Sequence, residues 1–296
     1  MTLFVNLSAS DHWILPSWPA PKSIKALCTT RTGGHSLGPY QGLNLGLHVG
    51  DDPARVQANR QWLSNRLGNI DIQWLSQTHG THCLHADGHH LQQAPEADAL
   101  WTKTPKLACA IMSADCLPIL MCDEQGTQVC AVHAGWRGLA AGIIDSAVAT
   151  FSQGASIFVW LGPAIGPTAF EVGAEVREIF VRQNPAAEAA FQHHNFDTFT
   201  AGTFAANTEI PSLNNPTPTQ YVCDLYQLAR LQLQPYYEYS KASSSLIKER
   251  SKARSVIVKG IYGGDDCTFS DPQRWFSHRR EQPTGRMASL IWIAPT

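Results

Sequence analysis

Between Lys106 and Gly138 the chain reads KLACAIMSADCLPILMCDEQGTQVCAVHAGWRG, and no other stretch narrows the possible folds as much. It reads as two apolar runs with a turn between them. The first run ends at Asp115-Cys116 and the second at His133, just before Gly135-Trp136-Arg137-Gly138. Read as a hairpin, it brings a thiol and an imidazole into one neighbourhood at the rim of a sheet. The pair is then a metal site, a nucleophile with its base, or two ordinary core residues.

Composition removes several classes. A 296-residue chain that is 44% hydrophobic can bury a substantial core as one large domain or two small ones. With 22 basic against 24 acidic residues there is no bulk electrostatic drive towards nucleic acid or a membrane surface. No run approaches the roughly 20 apolar residues of a membrane span, and the first 21 residues lack the pattern of a secretory signal. The eight cysteines form no CxxC pair and several sit inside apolar runs, where a free thiol behaves as a small hydrophobe. They read as reduced, buried thiols of a cytoplasmic protein, Cys116 excepted.

Along the chain, Ile24–Thr30 reads as a strand ending at Arg31, followed by a Gly-rich loop that fits no Walker pattern. Arg31 is the first candidate for an oxyanion, because guanidinium suits phosphate. Asp51 or Asp52 caps a helix over 53–67 with Pro53 in its first turn. Ile72–Ser76 reads as a strand running into Gln77-Thr78-His79-Gly80, and Asp98 is embedded in the apolar segment 97–101. A helix over Leu139–Phe151 follows the Gly-Trp-Arg-Gly turn, then a strand over 157–161 and helices over 174–183 and 225–234. Strands over 255–262 and 287–293 complete the set. Apolar periodicity fades over 184–220, read as an extended excursion, and 241–254 is polar. Strands and helices mix without strict βαβ alternation, so the class is α+β, with mixed sheets flanked by helices rather than a Rossmann fold or barrel. The boundaries are consistent with a single domain over 1–296.

An isolated cysteine and histidine in such runs are by default a buried thiol and a hydrogen-bonded core imidazole. Three details argue otherwise. Cys116 lies at a strand break between Asp115 and Leu117-Pro118, His133 ends a strand beside a Gly-rich helix start, and His79 repeats that strand-then-His-Gly context. Three such ligands make an open three-coordinate site for zinc or copper, with the fourth position left to water or substrate. The rival is a Cys116–His133 nucleophile and base. The residues alone leave these two nearly even.

The blocks Cys28-Thr-Thr-Arg31-Thr-Gly-Gly, Gln77-Thr-His79-Gly, Ala97-Asp98-Ala-Leu, Ser113-Ala-Asp115-Cys116-Leu-Pro and His133-Ala-Gly-Trp-Arg-Gly138 resemble the bacterial YfiH, or laccase-domain, family. The resemblance continues through Gly162-Pro-Ala-Ile-Gly-Pro167, Glu171-Val-Gly173, Phe276-Ser-His-Arg-Arg280 and Thr284-Gly-Arg-Met-Ala-Ser-Leu-Ile-Trp292, and so covers almost the whole chain. It implies a four-layer α/β/β/α sandwich and one zinc held by His79, Cys116 and His133. It also implies phosphorolysis of adenosine, inosine, guanosine and methylthioadenosine, with adenosine deaminase activity. The family's older label is a copper-dependent, laccase-like polyphenol oxidase. A role on peptidoglycan precursors has also been attached to it, which would suit a cysteine-dependent amidase.

Chemistry weighs these implications. Multicopper oxidases need paired HxH motifs, whereas His89-His90 and His193-His194 are adjacent pairs in irregular segments. A zinc-activated water attacking C6 of adenine explains deamination and needs a carboxylate for proton transfer, for which Asp98, Asp115 and Glu171 are the candidates. Phosphorolysis needs a phosphate site, with Arg31 first and Arg137, Arg279 and Arg280 in reserve. The chain departs from the family at Thr168-Ala169-Phe170, where two cysteines and a tyrosine are usual, and at Ala229, where an asparagine is common. The expected partners are purine nucleosides and phosphate, with no nucleic acid or membrane, acting on a monomer or weak homodimer.

Overall fold

The structure is a computed structural model that describes residues 10, 12–193, 220–237 and 256–295. Two mixed sheets pack face to face. One has five strands in the spatial order Trp13–Ile14, Ile24–Thr29, Met287–Ile293, Leu107–Ser113 and Asp71–Gln73, antiparallel except for the last pair. The other has six, in the order Ile257–Gly263, Ser156–Leu161, Leu117–Asp123, Val129–Ala134, Ala99–Thr102 and Cys83–His85. Its two outermost pairs are parallel and its inner pairs antiparallel. A small antiparallel sheet joins Glu171–Gly173, Gln220–Cys223 and Phe191–His193.

Strand alternation assigns each residue to a layer. Cys109, Ile111, Leu120, Cys122, Ala131 and Ile291 fill the space between the sheets. Their neighbours Ala108, Ala110, Met112 and Leu290 face outward onto Leu63 and Leu67, at the end of the Pro53–Arg66 helix. On the opposite outer face, Ile119, Met121 and Val132 meet Ile143, Ile144, Val176 and Leu228. These last four come from the helices Ile143–Val148, Ala174–Gln183 and Leu225–Leu233. The result is the four-layer α/β/β/α sandwich. No helix among the described residues is long and apolar enough to cross a membrane.

The central stretch folds differently from the two-run reading. It makes three strands, because Leu107–Ser113 joins the five-stranded sheet while Leu117–Asp123 and Val129–Ala134 pair in the six-stranded one. Asp115, at φ +95°, turns the chain from one sheet to the other. Cys116 therefore precedes the first residue of the true hairpin, and His133 lies near its end, level with Pro118. Antiparallel pairing juxtaposes the start of one strand with the end of the next, which is why the two side chains meet.

The Leu139–Phe151 helix is two helices, Trp136–Ala141 and Ile143–Val148, parted by Gly142 at φ +94°. The Gly-Trp-Arg-Gly turn is the first helix itself, with Gly135 as its N-cap. The 72–76 strand shortens to Asp71–Gln73. Within the expected excursion, Pro185–Ala190 is a 3-10 helix capped by Asn184, and Phe191–His193 is a strand. Residues 194–219 and 241–254 lie outside the described residues.

Candidate metal centre

His79, Cys116 and His133 converge. Their nitrogen and sulfur atoms all lie within 4.8 Å of one another, and Cys116 Sγ is 3.7 Å from His79 Nε2. In a tetrahedral zinc site with ordinary Zn–S and Zn–N bonds, sulfur and nitrogen ligands stand about 3.5 Å apart. The Cys116–His79 pair is close to that separation, and two imidazoles with a thiolate are a donor set that suits a borderline-soft ion. His133 is buried, Cys116 partly accessible and His79 exposed. Three protein ligands with one open side is the pattern of a reactive rather than a structural site.

Two of the three anchors rest on left-handed backbone: His79 at φ +61° and Asp115, next to Cys116, at φ +95°. Non-glycine residues adopt that region only where their surroundings impose it. At His79 the imposing group is Asp98, which is fully buried. One of its oxygens accepts from the N–H of His79 at 2.9 Å, and the other from the N–H groups of Thr78 and Gly80 at 3.1 and 2.7 Å. The Thr78 hydroxyl adds a further donor at 3.1 Å. The same carboxylate receives His133 Nδ1 at 2.8 Å, which leaves Nε2 of that ring for the metal position. Asp115 is held in turn by the Thr268 hydroxyl at 2.6 Å and the Arg279 N–H at 2.7 Å. Its carbonyl accepts from the Ile165 N–H at 2.9 Å.

Gly135 completes the geometry by what it lacks. A Cβ there would stand 2.8 Å from His79 Cδ2 and 3.1 Å from Cys116 Sγ. Its φ of −68° suits any residue, so the constraint is space.

Electrostatics separate Cys116 from the other thiols. Burial pushes Cys28 and Cys122 up to about 12. Burial also raises Cys116, but the charge and hydrogen bonds of His133 and His79 outweigh it and bring the thiol down to about 6. Burial would lower His133, yet the facing Cys116 and Asp98 carry it up to about 9. Burial likewise opposes ionisation of Asp98, and the His133 imidazole with the N–H groups around it holds the carboxyl well below the usual range. Without a metal these shifts favour a Cys116 thiolate beside a charged His133 backed by the Asp98 carboxylate.

The centre opens into a cavity of about 380 Å³. Trp136, Ile165, Phe170 and Leu225 give it an apolar wall, while Arg137, Arg279, Arg286, His48 and His278 line it with nitrogen. Of the expected residues, His79, Cys116, His133, Asp115 and the reserve arginines Arg137 and Arg279 line it, and Asp98 stands directly behind the ligands. Arg31 does not reach it: its guanidinium is bonded to Glu281 at 2.8 Å and to the Pro272 carbonyl at 3.0 Å, and stacks on Phe276. Arg280 is likewise used up by the carbonyls of Thr268, Phe269 and Trp275. Glu171 is outside the wall, its carbonyl accepting from Arg279 at 3.0 Å. Sequence reasoning missed His48, His278 and Arg286. Arg286 carried a readable sign, a charged residue immediately before the final apolar strand, as Cys116 stands immediately before Leu117–Asp123.

A family described as multi-copper polyphenol oxidoreductase laccase has a sequence model that matches residues 25–236 and 242–294. The chain is 43% identical to a purine nucleoside phosphorylase of Pseudomonas aeruginosa, over 96% of this chain and 99% of that protein. It is 42% identical to the purine nucleoside phosphorylase YfiH of Escherichia coli, over 95% and 98%. The crystal structure of Neisseria meningitidis protein NMB0706 superposes with a TM-score of 0.76 at 39% identity, covering 96% of this chain and all of that one.

Proposed function

The chain belongs to the family described as multi-copper polyphenol oxidoreductase laccase, with the YfiH proteins as relatives, and from that premise we propose that it is a zinc-dependent purine nucleoside phosphorylase with adenosine deaminase activity. The observation that carries this reading is the His79–Cys116–His133 cluster at the floor of a cavity with an apolar wall and a cationic one. His79, Cys116 and His133 would hold the ion, which when bound supplies a Lewis acid to the cavity floor. Trp136 and Phe170 offer a purine flat apolar contact. In phosphorolysis a phosphate oxygen bonds to C1′ as the C1′–N9 bond breaks, and the bonding electrons leave with the purine, which takes up a proton. Adenosine deamination consumes water and releases ammonia. Among the three carboxylates expected for proton transfer only Asp115 lines the cavity, so that role is assigned to it. Asp98 positions ligands.

The family's descriptive label points to copper oxidation, but among the described residues the only cluster of three or more metal-ligating groups is this single-ion one. Copper at the same three ligands remains compatible with their donor chemistry. A second reading is favoured by the lowered Cys116 thiol beside His133: a cysteine nucleophile with its base, acting as an amidase.

Incubation with adenosine or inosine, with and without phosphate, tests the proposal. Phosphate-dependent release of free base with ribose 1-phosphate is expected, together with inosine from adenosine. No turnover of any nucleoside, with hydrolysis of an amide substrate instead, would favour the cysteine reading.

A further inference from the structure

Three arginines, 137, 279 and 286, line the cavity, and among the described residues none pairs with a carboxylate. The one carboxylate in the wall, Asp115, has both oxygens occupied by Thr268 and the Arg279 backbone. Cys116 and Asp115 act on Arg286 through charge alone, and among the described residues no acidic group is bonded to any of the three guanidiniums. An unpaired guanidinium withdrawn from water costs free energy unless a bound anion offsets it.

Arg286 is the most constrained of the three. Its N–H donates to Asn44 Oδ1 at 2.9 Å and its carbonyl accepts from the Leu45 N–H at 3.1 Å. Nη1 is fixed by the carbonyls of Thr284 and Gly285, each at 3.0 Å. Its stem lies against Gly46, where an added Cβ would stand 2.8 Å from Arg286 Cγ. One edge of the guanidinium is thus tied to the backbone, and among the described residues no hydrogen-bond partner occupies the other. Beside it His48 lines the same wall, and its ring is hydrogen-bonded to none of the described residues. Arg279 is placed by its Nη2 bond to the Glu171 carbonyl at 3.0 Å and by stacking over Phe170. Arg137 and Arg279 are both exposed while Arg286 is half-buried, and Arg137 is held only by stacking on Trp136.

We propose that Arg286, with His48 and Arg279, forms an oxyanion subsite in this cavity that takes inorganic phosphate, the co-substrate of the reaction proposed above. A guanidinium with one edge tied to backbone and the other open presents the paired N–H groups that bind a phosphate oxygen pair bidentately. The inference rests on the phosphorylase reading for its ligand and on the unpaired arginines for its location.

The test measures phosphate in two ways on the zinc-loaded full-length protein: calorimetric titration with inorganic phosphate alone, and the KM for phosphate at saturating inosine. Arg286→Ala should raise both the phosphate dissociation constant and its KM at least about 30-fold. The KM for inosine should move by no more than about twofold, and zinc content should be unchanged. Arg286→Lys keeps the charge without the fork and should lie between. Arg279→Ala gives an independent readout should Arg286→Ala fail to fold. Turnover of inosine with an unchanged phosphate KM in Arg286→Lys and Arg279→Ala overturns the subsite and leaves the phosphorylase reading standing. Arg286-dependent phosphate binding without cleavage of any nucleoside supports the subsite and refutes that reading.

Discussion

Asp98 ties together two segments that are distant in sequence, the 78–80 loop and the strand bearing His133, through one buried carboxylate. Replacing it with asparagine removes the charge and leaves at least one amide hydrogen facing donors. A loss of about 3 kcal/mol of stability at neutral pH is expected in Asp98→Asn, with zinc affinity lower by about 10- to 100-fold. The pH dependence follows from the sign of the shift. The folded carboxyl titrates below its unfolded value of about 4, so its contribution is complete above that pH and fades as pH falls below it. Asp98→Asn should therefore flatten the acid limb of the stability curve, and urea unfolding at pH 3, 5 and 7 reads this directly. Gly135 makes the complementary case. Gly135→Ala should lower zinc affinity at least tenfold, because its Cβ displaces His79 or Cys116, while the metal-free protein keeps a melting temperature within a few degrees of the parent. Unaltered zinc affinity would show that the ligands do not need that space.

At the scale of elements, the crossover at Asp115-Cys116 and the break at Gly142 explain why some of the chain was legible in the sequence and some was not. The final strand, the Asp52-capped helix and the Asp224-capped helix follow from local pattern, since periodicity and caps act within a few residues. The three strands of 107–134 do not, because nothing local distinguishes a run that turns back on itself from one that passes into a second sheet. Likewise the 139–151 segment has one continuous apolar face, and only the left-handed Gly142 splits it. Gly142→Ala meets no atom closer than 3.9 Å, so its cost is conformational alone, about 1–2 kcal/mol. Chemical denaturation should show that loss with zinc content unchanged, and a stabilised variant would contradict it. Legibility of the site follows the same division. Cys116 and His133 stand out locally because one sits just before Leu117-Pro118 and the other near a strand end before Gly135, whereas the strand before His79 stops at Gln73 and leaves it in a loop. Arg31 also follows a strand, but Glu281, 250 residues away, bonds its guanidinium, a contact that no local pattern reveals.

For the whole molecule, the sandwich brings strand ends from both sheets to one rim, so a loop, a crossover and a hairpin end can each supply one ligand. Cys116 is the residue on which the competing chemistries divide. As a metal ligand its thiolate is occupied and protected. As a nucleophile it is free, and the low thiol pKa makes it the most readily alkylated cysteine, since burial pushes Cys28 and Cys122 up to about 12. Stripping the metal and titrating zinc back while following phosphorolysis of inosine separates the two. Activity that is absent in the stripped protein, rises in proportion to added zinc and levels off at one equivalent, with Cys116 becoming resistant to alkylation over the same range, is the predicted result. A metal-free protein that retains full activity and loses it on alkylation of Cys116 would contradict the assignment.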